Sequence, residues 1–225
     1  METVVAARSV RMRWLGRLPC AEAFALQRRA AEEVKSGGDE TLFLLEHEPV
    51  FTLGRNAVRA DVLFAPARCA ELGIDVVETD RGGKVTYHGP GQLVGYPILN
   101  LHPDRRDVKR YVTDLEEALI RTLAGFGVRA SRSPRKERVS SLWVGNDKIA
   151  AIGIHISRWV TTHGFAVNVT DEPLAYFSGI VPCGITDGGV TTMERVLGRA
   201  PQLTQVSEAF AEHFAGVFGR EIIRT

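Results

Sequence analysis

Arg81-Gly-Gly-Lys-Val-Thr-Tyr-His-Gly-Pro-Gly-Gln92 is the stretch that says most about the fold of this 225-residue chain. It places four glycines and a proline around an arginine and a Tyr-His pair. A loop that only reverses the chain needs one or two glycines. Strand-like runs flank the stretch at 74–79 and 93–101, so a sheet would hold it rigidly. The pattern predicts a binding loop between two strands.

Two nucleotide-binding motifs are excluded by spacing. A P-loop needs a Gly-Lys-Ser/Thr end, but Gly83-Lys84 is followed by Val85. A dinucleotide fingerprint would need glycine at position 94, which is Val94, and a helix opening there. Composition alone therefore leaves a structural turn and a ligand-binding loop both open.

Cys183 is the cysteine whose surroundings point to chemistry. Pro182 and Gly184 flank it in a loop-like stretch, so a substrate can reach its thiol. Cys20 and Cys69 adjoin or lie in helical patterns and are expected to be small buried residues. A thiol with a pKa near ~8.5 needs a nearby cation or helix N-terminus to become a good nucleophile. Local spacing offers no histidine or lysine in that role.

Lys148 follows a turn at 145–147 and begins the second strand of a predicted hairpin, 141–144 and 148–156. Most single lysines are solvated surface charges, which is the ordinary reading of this one. A further stretch, 162–169, alternates apolar residues and predicts a strand.

The remaining apolar spacing predicts both helices and strands. The longest helix is expected at 107–126, and Phe210, Phe214 and Phe218 form one core-facing row of a helix at 204–218. Strict β-α-β alternation is absent, which favours an α+β fold. The other predicted elements are strands at 9–15, 41–46 and 50–53 and helices at 21–35 and 65–72.

These stretches together resemble the octanoyl (lipoyl) transferase family, which attaches the octanoyl precursor of lipoate to proteins. The 81–92 segment matches the family signature, but a looser version occurs in ATP-dependent lipoate ligases. The 141–153 segment is similar to the strand–turn–strand that carries the family's catalytic lysine. The ligases lack the cysteine, so Cys183 with Lys148 resembles the transferase. Val167 stands where leucine is usual, and Lys84 where glutamine is common.

The resemblance implies an α+β fold, a mixed β-sheet with flanking helices like the catalytic domain of biotin and lipoate protein ligases, in a single domain over 1–225. It also implies that Cys183 and Lys148 are catalytic. The residues implied to bind substrate are Arg81, Gly82, Gly83, Lys84, Val85, Thr86, Tyr87, His88, Ala151, Ile152, Gly153, Gly164, Phe165 and Ala166.

The resemblance implies octanoyl-acyl carrier protein as donor and, as acceptors, lipoyl domains of 2-oxoacid dehydrogenases and the glycine cleavage H protein, with no cofactor. Such carrier domains are acidic in general. Basic clusters at 105–110 and 132–138 would then form a rim that speeds encounter, although a solvated face is the ordinary reading of each. The alternatives are an ATP-dependent lipoate or biotin ligase and a non-catalytic module that binds lipoyl domains.

Bulk properties predict a soluble cytoplasmic protein. The chain is 44% hydrophobic and 24% charged, with a net charge of +1. No apolar run approaches the ~20 residues of a membrane span, and no secretory leader is visible at the N-terminus. Three scattered cysteines fit a reducing compartment, and no metal-ligand spacing or nucleic-acid motif is present.

Replacing the three cysteines one at a time tests the nucleophile. We expect Cys183→Ala to abolish acyl transfer and any covalent acyl adduct, because no other activated nucleophile occurs in these motifs. Cys20→Ala and Cys69→Ala serve as controls and should retain activity, with at most a packing cost. Transfer rates and intact protein masses measure both effects. Near-normal transfer by Cys183→Ala would rule out a covalent mechanism through this thiol.

Overall fold

The computed structural model describes residues 8–133, 140–181 and 189–225, and within them the chain forms two β-sheets flanked by helices. The helices are α1 Cys20–Lys35, α2 Pro66–Glu71, α3 Val108–Gly125, α4 Met193–Leu197 and α5 Leu203–Phe218, with short 3-10 turns at Arg59–Asp61 and Glu172–Gly179. The strands are β1 Arg8–Leu18, β2 Glu40–His47, β3 Val50–Leu53, β4 Asp75–Glu78, β5 Val85–His88, β6 Gln92–Ile98, β7 Ser131–Arg132, β8 Ser141–Val144, β9 Asp147–Ser157, β10 Val160–Asn168, β11 Gly189–Val190 and β12 Arg220–Arg224.

The larger sheet has the strand order β12-β1-β2-β6-β10-β9-β8-β7, with β11 running alongside β9. Its β12-β1-β2 edge is parallel, and the pairs from β2 to β7 are antiparallel. The smaller sheet has the order β4-β3-β5 and also mixes parallel and antiparallel pairs. The predicted mixed sheet with flanking helices is confirmed.

Helices cover both faces of the larger sheet. On one face, α3 and α5 pack together, and the predicted row of Phe210, Phe214 and Phe218 is buried in the largest apolar cluster. The Phe165 ring of β10 reaches into the same cluster, with its centroid 4.3 Å from that of Phe210. On the other face, α1 packs over β2, β6 and β10. The central strands are therefore covered on both faces, which holds the site residues of β9 and β10 on a rigid support.

Each helix and strand predicted from the sequence is present, but the 81–92 stretch is not one continuous loop. Its middle forms β5, in which Val85 and Tyr87 point into a small apolar cluster beneath the smaller sheet. The sequence does not indicate this strand, because glycines flank it and only four of its residues alternate between the two sides of the sheet. The prediction also missed β12, which pairs with β1 from the other end of the chain.

The prediction that Arg105 belongs to a basic surface rim is wrong. Its side chain is buried and donates hydrogen bonds to Asp114 Oδ2 and to the carbonyl oxygens of Val217 and Phe218, where α5 ends. A cation at a helix C-terminus satisfies carbonyl groups that lack partners within the helix. Arg132 likewise forms ion pairs with carboxylates on α3. Residues 134–139 of the second cluster lie outside the described residues.

Two further features concern metals and membranes. In the part of the chain that the structure describes, no group of three or more His, Cys, Asp or Glu side chains could hold a metal ion. Within the same residues, no helix combines the length and the apolar character needed to cross a bilayer.

Glu40, at the start of β2, joins three distant parts of the chain. Its carboxylate is 5% exposed and accepts hydrogen bonds from Arg220 Nε at 2.7 Å and from the Asn100 N–H at 2.8 Å. Arg8 Nη2 contacts the same carboxylate at 2.5 Å. One buried carboxylate on β2 therefore links β1, β12 and the chain after β6.

Neutralising this carboxylate tests its structural role. We expect Glu40→Gln to lower the free energy of unfolding by about 3 kcal/mol, because the buried Arg220 guanidinium loses one of its two carboxylate partners and keeps only Asp104. Glu208→Gln is the matched control, since Glu208 pairs with Arg224 on the exposed surface and should cost less than about 1 kcal/mol. Urea denaturation measures both variants. Equal losses in the two variants would contradict a special role for Glu40.

Candidate active site

A cavity of about 500 Å³ lies between the two sheets and α1. Lys148 lines it at the start of β9 and is half-buried. Every residue predicted to bind substrate also lines it, except Tyr87: Arg81, Gly82, Gly83, Lys84, Val85, Thr86, His88, Ala151, Ile152, Gly153, Gly164, Phe165 and Ala166. The structure thus brings three separate sequence stretches together around one cavity.

The cavity depends on a close approach between backbones. The Gly82 N–H donates to the carbonyl oxygen of Ile154 on β9 at 2.9 Å. A Cβ at Gly153 would lie 3.1 Å from Gly82 O, and a Cβ at Gly54 only 2.5 Å from Gly83 O. Side chains at these positions would push the smaller sheet away from β9, so glycine is required where the loop crosses the larger sheet.

Arg81 mainly holds the glycine loop in its position against β9. Its guanidinium is buried and donates to Thr52 O at 2.6 Å, to Thr52 Oγ1 at 2.9 Å and to Gly82 O at 3.0 Å. These bonds tie the glycine loop to β3. They also fix a positive charge in the cavity wall, and this charge helps to lower the pKa of His88 and His163.

His88 is oriented by a relay of side-chain hydrogen bonds. The Asn168 amide donates to the Thr191 carbonyl oxygen at 3.0 Å, Gln92 Nε2 donates to Asn168 Oδ1 at 2.9 Å, and Gln92 Oε1 faces His88 Nδ1 at 3.1 Å. Because a carbonyl can only accept, both amides are fixed, and His88 Nδ1 carries the proton. Its Nε2 is left as an acceptor. Burial, with help from His47 and Arg81, lowers the pKa of His88 to about 3, so the ring is neutral.

Tyr87 departs from the prediction that it borders the acyl tunnel. Alternate residues of a strand point to opposite sides, so Tyr87 points away from the side shared by Thr86 and His88. Its ring stacks on Tyr176 with centroids 4.8 Å apart, and burial raises the pKa of its hydroxyl. It borders only a small neighbouring cavity, which Lys148 also lines.

Cys183 lies outside the described residues, but residues 189–225 on its C-terminal side are described. Val190 of β11 pairs in parallel with Lys148, and the Thr191 N–H donates to the Lys148 carbonyl oxygen at 2.9 Å. Gly189 N–H also donates to the Asp147 carboxylate at 2.9 Å. Residues 189–191, which begin six positions after Cys183, are therefore hydrogen-bonded beside Lys148.

The other two cysteines are buried, as predicted. Cys20 is the first residue of α1 and is 2% exposed, and Cys69 on α2 is 4% exposed. Burial, with a smaller contribution from Asp75, raises the pKa of the Cys20 thiol to about 12. A thiol with this pKa is not a nucleophile at neutral pH.

Three aromatic side chains at the site were not predicted: Phe24 on α1, Tyr96 on β6 and His163 on β10. The predicted stretch began one residue too late, at Gly164. His163 combines an unusual φ of +58° with a hydrogen bond to Asp80 Oδ1 at 2.6 Å. A left-handed residue inside a strand has no sequence signature when it is not glycine or asparagine, so no signal could have shown it.

Comparisons with known proteins identify the family of this chain. Residues 19–215 match the family model described as the lipoyl protein ligase A/B catalytic domain. The chain belongs to this family. It is 48% identical over 217 residues to an octanoyltransferase of Solibacter usitatus, with 96% of each chain covered. It is 49% identical over 214 residues to an octanoyltransferase of Myxococcus xanthus, covering 92% of this chain but only 59% of that relative.

Solved structures show the same fold. A lipoate-protein ligase A bound with ATP superposes with a TM-score of 0.82 at 17% identity, covering 96% of this chain and 88% of that one. A biotin protein ligase from Aquifex aeolicus gives a TM-score of 0.52 at 12% identity, with 92% and 68% covered. The predicted family and fold are confirmed, and so is the predicted enzyme class, an octanoyl-transferring acyltransferase.

His47 supports the cavity from behind Tyr96. It is fully buried, with Nε2 at 2.6 Å from the Tyr96 hydroxyl and Nδ1 at 3.2 Å from the Leu18 carbonyl oxygen. The carbonyl requires a proton on Nδ1, so Nε2 accepts from Tyr96. Burial lowers the pKa of His47 from 6.5 to about 4.

This lowered pKa predicts a pH-dependent stability. Between the two values the unfolded chain binds a proton that the folded chain does not, so the contribution is present above pH 6.5 and is lost as the pH falls toward 4. From about pH 7.5 to about pH 5, the parent chain should lose about 2 kcal/mol more unfolding free energy than His47→Gln. Urea titrations of both proteins give the comparison. Parallel curves would mean that His47 titrates normally.

Proposed function

We propose that this chain, acting as a single cytoplasmic domain, transfers an octanoyl group from octanoyl-acyl carrier protein to a lysine of lipoyl domains, including the glycine cleavage H protein. Cys183 is the nucleophile and Lys148 its proton-transfer partner. The observation that carries the proposal is the pairing of β11 with β9. Residues 189 and 190, six and seven positions after Cys183, pair with the start of β9 beside Lys148, at a cavity lined by the residues expected to hold the acyl chain, and this supports the proposal.

In the first half-reaction, the Cys183 thiolate attacks the carbonyl carbon of the octanoyl thioester. The new carbon–sulfur bond forms octanoyl-Cys183, and the bond to the carrier's phosphopantetheine sulfur breaks. The leaving sulfur takes a proton from the Lys148 ammonium. A cation beside the cysteine also favours the thiolate, which is the reactive form.

In the second half-reaction, the ε-amine of the acceptor lysine attacks octanoyl-Cys183. An amide forms, the Cys183 thiolate leaves, and the neutral Lys148 amine takes the proton that the attacking nitrogen releases. Lys148 thereby returns to its ammonium form. Conversion of a thioester to an amide is downhill, so the cycle needs no ATP.

The cavity wall suits an unbranched acyl chain. Ala151 pairs with Ala166 and Gly153 pairs with Gly164, so small residues form a shallow channel along β9 and β10. His88 adds a neutral ring whose Nε2 can accept a hydrogen bond at the cavity surface, and a neutral ring costs less to keep beside an apolar chain than a charged one would.

Intact mass spectrometry tests the reaction class directly. The chain is mixed with octanoyl-carrier protein without ATP, and we expect a mass increase of one octanoyl group that hydroxylamine removes. Addition of a lipoyl domain should move that mass to the acceptor as a hydroxylamine-resistant amide. Labelling that requires ATP and does not depend on the carrier thioester would instead identify an ATP-dependent ligase. Binding without turnover would identify a non-catalytic module.

Two Lys148 variants separate its two roles. Lys148→Ala removes the cation, so the pKa of the Cys183 thiol should rise and acylation at neutral pH should slow. Lys148→Arg keeps a positive charge that does not lose its proton. It should form octanoyl-enzyme faster than Lys148→Ala, while both variants fail in the second half-reaction. Alkylation rate against pH and single-turnover acylation measure these effects. An unchanged thiol pKa in Lys148→Ala would place the lysine away from Cys183.

A further inference from the structure

Two buried amide side chains, Gln92 and Asn168, stand behind His88. They lie directly opposite each other on β6 and β10 and are 1% and 5% exposed. His88 lines the 500 Å³ cavity, but the two amides line only the small neighbouring cavity, together with Lys148. Gln92 and Asn168 are therefore placed to act on a substrate in the main cavity through His88 and not by contact.

The orientation of both amides is decided at Thr191. Its N–H donates to the Lys148 carbonyl oxygen at 2.9 Å, and its own carbonyl oxygen accepts from Asn168 Nδ2 at 3.0 Å. Since a carbonyl oxygen cannot donate, Asn168 has to turn its own oxygen toward Gln92. Turning either amide over would set two oxygens against each other. One backbone carbonyl beside Lys148 thus fixes the face that Gln92 presents to His88.

The relay ends by choosing the tautomer of His88. The ring is neutral, because burial lowers its pKa to about 3, and a neutral imidazole has one donor nitrogen and one acceptor nitrogen. Gln92 Oε1 lies 3.1 Å from Nδ1 and can only accept, so Nδ1 carries the proton. The polar atom that His88 keeps for a ligand in the cavity is an unprotonated Nε2.

An unprotonated nitrogen selects among the groups that the proposed substrates bring. It cannot donate to the oxygen of a thioester carbonyl, so His88 held in this way is not a donor of an oxyanion hole. The octanoyl chain offers no N–H or O–H group. The amides of the carrier's phosphopantetheine arm and the amine of the acceptor lysine do, and these are the groups that Nε2 can bind.

We propose that Gln92, fixed by Asn168, is a positioning residue that keeps His88 in the Nδ1–H form, so that the site presents a hydrogen-bond acceptor to an N–H group of one of the two substrate arms. The inference rests on the proposed octanoyl transfer. Its two possible sources of the N–H group, the phosphopantetheine amide and the acceptor lysine, belong to different half-reactions and can be distinguished by rate.

Nitrogen NMR of the histidine-labelled chain tests the relay without any substrate. In the parent chain we expect the His88 signals, assigned with His88→Ala, to show a protonated Nδ1 and a bare Nε2. Gln92→Met and Asn168→Leu keep the side-chain volume but break the relay, so both should populate the Nε2–H form. A parent chain with the proton on Nε2 would overturn the inference at once, and this reading needs no variant of the relay to fold.

Gln27→Met is the matched control. Gln27 is as buried as Gln92, at 2% exposed, and its Oε1 accepts a hydrogen bond from the His163 backbone N–H at 2.7 Å, outside the relay. Its loss should leave the His88 tautomer as it is in the parent chain. A tautomer that changes equally in Gln27→Met and Gln92→Met would mean that loss of any buried amide in this region has this effect, and the relay would be wrong.

Single-turnover rates test what the tautomer does. We expect Gln92→Met to slow one half-reaction about tenfold, which is the worth of one hydrogen bond. A slower acylation by octanoyl-carrier protein would identify the phosphopantetheine amide as the bound group, and a slower transfer from octanoyl-enzyme to a lipoyl domain would identify the acceptor lysine. In a His88→Ala background, Gln92→Met should cause no further loss, because it acts through the ring.

The outcomes separate this inference from the proposed function. If Gln92→Met changes the tautomer but neither rate, the acceptor nitrogen has no role in transfer. If it slows the reaction equally with and without His88, Gln92 is only structural, and the inference is also wrong. If the parent chain transfers no octanoyl group, the proposed function fails, and the assignment of a substrate N–H group fails with it even where NMR confirms the relay.

Discussion

The structure depends on one close approach, in which the backbone of the Gly82-Gly83 loop lies directly on β9 and against Gly54. The hydrogen bond from Gly82 to Ile154 is the direct link between the smaller sheet and this part of the larger one. Arg81 holds the loop against Thr52, so the approach is braced from behind. Without it the glycine loop would not lie against β9, and the channel would be open on that side.

The charges around the channel follow from the same arrangement. Arg81 is a fixed cation at the point where the sheets meet. Burial keeps His88 and His47 neutral, and the Arg81 charge adds to this effect at His88. The Nδ1 proton of His88 is held by Gln92 and that of His47 by the Leu18 carbonyl oxygen. The channel wall therefore combines the fixed charge of Arg81 with the neutral ring of His88.

Local patterns made much of this predictable. The amphipathic spacing of α3 and α5 and the hairpin that presents Lys148 could be read from the sequence, because short-range periodicity fixes them. The β5 strand and the position of Tyr87 could not, since five residues between glycines leave strand and loop equally open. Arg105 was misplaced because sequence shows a cluster of charges but not the helix end that buries one of them. Phe24 and Tyr96 come from elements far apart in the chain, and only the folded topology brings their rings to His163.

The parallel pairing of β1 with β12 has a consequence for how the protein is made. Arg8 lies opposite Arg220, so the outer edge of β1 is covered only after residues 220–224 have left the ribosome. Until then the unpaired N–H and C=O groups along this edge are open to pairing with other nascent chains. Contacts this distant in sequence also form slowly, because a long loop has to close first. The charged residues at this edge, Arg8 and Arg11 on β1, keep the waiting strand from presenting a flat apolar surface.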